Sequence, residues 1–127
     1  MSDFYNFVKN FFSTDESIDN TKYSTVGHEF RFSTDNAEGI YWFYEGDNFT
    51  IDIYDVFIKK EIIHTSFSGL NNFYSLYLSY LVTANGECFN PYQNLSSNSL
   101  FTINTKNSKD YRFILHKNSP YLGIGIN

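Results

Sequence analysis

The chain has 127 residues, 20% of them aromatic with 14 Phe and 11 Tyr, and a formal net charge of −5. That length suits one domain burying roughly two-thirds of its unfolded surface rather than two. Nine scattered basic residues, with only Lys59 and Lys60 adjacent, exclude a phosphate-binding face and a polybasic membrane patch.

Phe4, Phe7, Val8, Phe11 and Phe12 fall at helical spacing, which predicts a helix over 3–12 with Ser2 as its N-cap. About ten residues are too few to hold a helix alone, so its phenyl face must dock on a sheet. A polar loop over 13–20 follows. Strand character runs over 23–33, with His28, Phe30 and Phe32 on one face and Glu29 and Arg31 on the other.

The stretch 39–64 reads as a β-hairpin. Two runs of aromatic and β-branched residues flank Glu45-Gly46-Asp47-Asn48, with Gly46 suited to positive φ. In the second run Phe49, Ile51 and Ile53 share one face, and Thr50, Asp52 and Tyr54 the other. The pattern then slips, which predicts a bulge or bend at Asp55. Residues 73–83 form the longest alternating strand, apolar on both faces and so expected to be central and covered on both sides. Asn85-Gly86 signals a type I′ turn that folds 87–89 back on it. Further strands fall at 99–103, 111–116 and 121–126. Eight or nine strands separated by turns, with one short N-terminal helix, predict an all-β antiparallel sandwich or barrel.

Chemistry is sparse. His28, His64 and His116 contain no His-x-His pair, so no metal or other cofactor is expected. There is no Gly-x-Ser-x-Gly elbow, and Gly123-x-Gly125 sits inside a strand. Asp52 reads as solvent-facing and Asp55 as a turn residue. What remains is a pocket inside the barrel, with Trp42, Tyr44 and Tyr77 as flat ligand-binding walls and Arg31 as an anchor for a carboxylate or hydroxyl. A lone Cys88, no basic leader and no apolar run near 18 residues predict a cytoplasmic protein.

Several segments resemble the N-terminal regulatory domain of AraC-type transcription regulators: His28-Glu29-Phe30-Arg31-Phe32-Ser33, Gly39-Ile40-Tyr41-Trp42, the run from Asp52 to Lys60, and Leu95-Ser96-Ser97-Asn98-Ser99-Leu100. The resemblance spans about 25–126 and implies a cupin-like, jelly-roll-like barrel that senses a small molecule or a protein effector, with a homodimer as a further option. On that reading residues 1–127 are a single sensor domain, with an N-terminal helix and arm over 1–20 and the barrel over 21–127. DNA would be bound only through a helix-turn-helix domain that these residues lack. The expected function is ligand or signal sensing without enzymatic activity. The alternative is a small metal-free cupin isomerase or epimerase working by acid–base catalysis, with His64 and either Asp55 or Tyr77 as its players. A structural module associating through exposed aromatics is a third reading.

Overall fold

The computed structural model describes residues 1–64, 73, 76–89, 92–104 and 112–127, with His64 described by its backbone. Among these residues a helix, α1 (Asp3–Phe12), precedes ten strands. They are β1 (His28–Ser33), β2 (Ala37–Glu45), β3 (Thr50–Ile58), β4 (Ile62–His64), β5 (Leu76–Thr83), β6 (Asn85–Phe89), β7 (Gln93–Ser96), β8 (Ser99–Asn104), β9 (Arg112–Leu115) and β10 (Ser119–Ile126).

The helix begins as expected. The Tyr5 amide donates to Ser2 Oγ at 3.0 Å, and Asp3 and Lys9 complement the dipole at the two ends. Its buried stripe is Phe4, Tyr5 and Val8, whereas Phe11 is 60% exposed. The stripe is rotated toward Tyr5 because the tyrosine hydroxyl finds an acceptor, Glu16 Oε1 at 3.0 Å.

The β2–β3 hairpin also forms, in register from Glu45 opposite Thr50 to Ala37 opposite Ile58. Gly46 is not at positive φ; the half-exposed Phe49 ring folds over it, 2.4 Å from where a Cβ would sit. The bend expected at Asp55 is absent. Asp55 pairs with Ile40 on one side and Leu122 on the other without interruption. The chain turns after Ile58 instead, where the Lys59 and Lys60 amides both donate to the Asn36 carbonyl.

The strand order gives the architecture. One sheet runs β1-β2-β3-β10-β5-β8 and the other β4-β9-β6-β7. If the chain from β3 onward is drawn as one long hairpin closing at β6–β7, every strand meets its antiparallel partner. β6 pairs with β7, β5 with β8, β4 with β9 and β3 with β10. Rolled into two sheets, that nested hairpin is a jelly roll, the double-sheet architecture shared by cupins, with β1 and β2 extending the first sheet. The all-β antiparallel expectation therefore holds.

Two local expectations fail. Asn85-Gly86 is not a hairpin turn. Both residues lie in β6, which leaves β5 and pairs with β7 and β9 in the other sheet. Gly86 is there for close approach: a Cβ would fall 2.1 Å from the Ile114 carbonyl oxygen. β5 is interior to its sheet but is covered on one face only, with Leu76, Leu78, Tyr80 and Val82 open on the other.

The inner face of the large sheet has two covers. α1 lies over β1 and β2, joining Phe4, Tyr5 and Val8 to Phe30, Tyr41 and Phe43. The four-stranded sheet lies over β5 and β8, joining Cys88 and Leu95 to Leu81 and Ile103. From α1 the chain bridges the edge strand at Glu16–Phe30 and crosses to the outer face. There the Glu29 carboxylate, 2% exposed, accepts from the Lys22 and Tyr23 amides and from Arg31 Nε.

Candidate functional site

Between the two apolar clusters lies a polar seam centred on Asp52, which is 1% exposed. β3 sends Asp52 and Tyr54 inward, on the same face as Val56 and Ile58. Tyr41 Oη on β2 donates to Asp52 Oδ2 at 2.9 Å, and Tyr77 Oη on β5 donates to Oδ1 at 2.7 Å. The two phenols thus reach one carboxylate from opposite sides. β10 stands between β3 and β5, and its inward Gly125 opposes both Asp52 and Ser79. A Cβ at Gly125 would lie 2.1 Å from Tyr77 Oη and 2.6 Å from Asp52 Oδ1, so the glycine makes the room in which these groups meet.

Burial dominates the electrostatics here. Desolvation, followed by the Asp52 charge, pushes the Tyr77 hydroxyl well above its ordinary pKa. Tyr121, on the same inner face, is pushed up by burial and then by Asp52. Both phenols keep their protons across the physiological range, and Tyr77 acts as a donor. A carboxylate held between two protonated phenols can accept a proton on one side of a bound molecule while a phenol supplies a hydrogen bond on the other.

Asp52 was expected at the surface. The parity of β3 is inverted because both of its faces carry large apolar side chains. Phe49, Ile51 and Ile53 belong to the outer face, and the inner face uses tyrosines that bring their own polar ends.

The four expected ligand contacts do not converge. Tyr77 is in the seam. Trp42, Tyr44 and Arg31 lie on the outer side, opposite the inward Phe30, Tyr41 and Phe43. Trp42 Nε1 donates to the Ser24 carbonyl at 3.0 Å, under the segment that crosses the outer face. Tyr44 packs near Phe49, with ring centroids 6.4 Å apart. Arg31 Nη2 donates to the Asn20 carbonyl at 2.7 Å.

Asp55 is also on the outer face. It accepts from Lys22 Nζ at 2.7 Å and Tyr23 Oη at 2.6 Å. Burial alone would raise its pKa, but these two bonds override it and hold the carboxyl below its ordinary range. Asp55 therefore lies on the opposite side of the large sheet from Tyr77, and the His64 side chain, the partner expected for either, lies outside the described residues. His64 pairs through its backbone with Phe113 in the small sheet.

The donor set does not fit a metal. Among the described residues no group of three His, Cys, Asp or Glu side chains could hold one. His28 Nδ1 lies 2.9 Å from Glu16 Oε2, at the edge of the large sheet. His116 lies between Glu61 at 2.9 Å and Glu87 at 2.7 Å, in the small sheet. The register sets His28 in one row with Phe43 and Asp52, two strands from the carboxylate. No described helix is long and apolar enough to cross a membrane.

No protein-family model and no curated protein matches the chain. Solved structures do. An ectoine synthase from P. lautus is 11% identical with a TM-score of 0.47, over 76% of this chain and 66% of that one. A cupin-2 domain containing protein from Shewanella frigidimarina is 9% identical with a TM-score of 0.41, over 95% and 89%. KdgF from Halomonas sp. is 10% identical with a TM-score of 0.38, over 90% and 84%. The chain spans just under two-thirds of the synthase and most of the other two. At these scores the likenesses carry no functional argument, and the fold rests on strand order and register. None of the three names a transcription regulator. The expectation of a chain without enzymatic activity is corrected: the similar structures include a synthase.

Proposed function

We propose that the chain is a small-molecule enzyme of the isomerase or epimerase type, working by acid–base chemistry at Asp52. The observation that carries this reading is one buried carboxylate gripped by two tyrosine hydroxyls, at 2.7 and 2.9 Å, in the middle of the jelly roll. Asp52 takes a proton from a carbon next to a carbonyl. Tyr77, kept protonated, turns its one O–H from Asp52 to the substrate oxygen on which charge gathers, and the protonated Asp52 then returns a proton to carbon, which closes the cycle. Tyr41 holds the carboxylate in line. This replaces His64 and Asp55 of the sequence reading with Asp52, and keeps Tyr77.

The test is solvent-proton exchange. The chain is incubated in D2O with a panel of small aldoses, ketoses and 2-oxo acids, and deuterium entry beside the carbonyl is read by NMR. The wild type exchanges at least one of them. Asp52→Asn lowers the rate by about 1,000-fold, and Tyr77→Phe by about 100-fold, the sizes typical of a lost base and a lost donor. Exchange that is no faster than in buffer, or equal in Asp52→Asn, ends the proposal.

A ligand-sensing role of the AraC type draws on one observation. Tyr41 belongs to the cluster under α1 and also donates to Asp52, so the helix and the seam share a residue. In that reading a molecule held at Asp52 changes how firmly α1 is docked. Hydrogen exchange over residues 3–12 that stays the same with and without a co-purified ligand, first sought by native mass spectrometry, argues against it.

A further inference from the structure

The outer face of the large sheet is covered in one half and bare in the other. Over β1, β2 and β3 the segment before β1 lies on Glu29, Trp42 and Asp55, which accept from it or donate to it. Over β10, β5 and β8 nothing comparable among the described residues covers the outward side chains. Leu76, Leu78, Tyr80, Leu100, Ile124 and Ile126 are 38–68% exposed.

Register makes these one surface. Ile124 is opposite Tyr80, and Tyr80 is opposite Leu100; Ile126 is opposite Leu78, and Leu78 is opposite Thr102. The outward positions of the three strands, including Pro120, Leu122, Val82, Thr102 and Asn104, carry no charged residue.

We propose that this face is the seat of a second copy of the chain, packed sheet to sheet about a two-fold axis. Area is the first argument. The six apolar residues expose on the order of 600 Å², at the top of the range for monomer surfaces. That is about three-quarters of the 800 Å² that each partner brings to a standard interface. Charge is the second. A chain with net charge −5 repels its copy elsewhere, but this face has no charge to repel and none for an oppositely charged partner to read. Shape is the third. Sheet faces stack in aligned fashion with interdigitating rows, and identical rows satisfy a two-fold contact. Tyr80, whose hydroxyl donates to Asn98 Oδ1, supplies an aromatic anchor with its polar end satisfied.

The test is sedimentation equilibrium with light scattering between about 1 and 100 μM, where an interface of this size is expected to dissociate. The wild type reaches twice the chain mass at the upper end. Ile124→Lys and Leu78→Lys each raise the dissociation constant by about 100-fold, as loss of a central contact does. Ile63→Lys, on the small sheet and more exposed to solvent than either, leaves it unchanged. Circular dichroism and melting report whether each variant is folded. Thr102→Lys, at a site already exposed and polar, replaces either central variant that loses its melting transition, and it raises the constant too. A wild type that stays monomeric throughout overturns the proposal, as does a dimer that survives the outward lysines or one that Ile63→Lys breaks. A monomer that floats with phosphatidylcholine vesicles overturns it in favour of a lipid surface.

Discussion

The two halves of the interior solve one problem with different materials. Under α1 the core is aromatic: Phe4, Tyr5, Phe30, Tyr41 and Phe43, with ring centroids such as Phe4–Phe43 4.9 Å apart at 82°. Under the small sheet the buried residues are aliphatic and small, Leu81, Ala84, Cys88, Leu95 and Ile103, with rings such as Phe101 and Phe113 only at their margin. The difference follows from the covers. Four strands are knit together by backbone hydrogen bonds and need only modest side chains to fill the gap. A ten-residue helix shares no ladder with the sheet, so its docking depends on large rings that each bury much area. The helix side is therefore the half whose cover opens at lower cost.

Deleting a large side chain from each half breaks that comparison most directly. Phe43→Ala costs about 4 kcal/mol and Leu81→Ala about 3 kcal/mol, as urea midpoints measure. Hydrogen exchange separates them: Phe43→Ala speeds exchange first in α1, and Leu81→Ala first in β6 and β7. Equal patterns in both variants mean that the two halves open as one unit. The seam comes next. Tyr77→Phe removes a hydroxyl bond to a buried carboxylate and costs about 2 kcal/mol. It belongs to both clusters and shifts exchange in both halves.

Ser2→Ala is smaller, about 1 kcal/mol, because it removes the N-cap bond to the Tyr5 amide. The loss is confined to exchange in the first turn of α1. The smallest effect belongs to the sheet side. His116 donates to Glu61 before β4 and to Glu87 on β6, and the bond to Glu61 is the main reason its pKa lies above the ordinary value; partial burial opposes and Glu87 adds. A raised folded pKa means that this contribution is complete below about pH 6.5 and fades as pH rises through the folded value. Side by side, wild type and His116→Gln differ more in urea midpoint at pH 5.5 than at pH 8.5. A constant difference removes the His116 contribution.

How much of this was legible depended on whether one pattern stood alone. Residues 3–12 show a single helical stripe behind a good cap, and α1 appears where expected. The β2–β3 hairpin was readable because two β-rich runs flank a polar turn. β3 misled because alternation marks two faces without naming the inner one when both are apolar. Ile51 and Ile53 looked like core and Asp52 like surface, although tyrosines on neighbouring strands were available to satisfy a buried carboxylate. Nothing local announces that partnership: Tyr41 and Tyr77 lie 11 and 25 positions from Asp52. Asn85-Gly86 misled for a related reason. A glycine that serves a turn and one that lets a neighbouring strand approach look alike until the partner, here Ile114, is known. Trp42, Tyr44 and Arg31 had the right chemistry for a pocket, but alternation along β1 and β2 sets them opposite to Phe30, Tyr41 and Phe43.

β10, the last strand in chain order, is not at a margin. It lies between β3 and β5 and pairs with both along its length. The large sheet thus remains two pieces, β1-β2-β3 and β5-β8, until β10 joins them, and that joining pairs positions as far apart as 51 and 126. Contacts so distant in sequence close slowly. Until residues 119–126 are in place the hydrophobic face stays half-assembled, and losing them removes the middle of the large sheet rather than its edge.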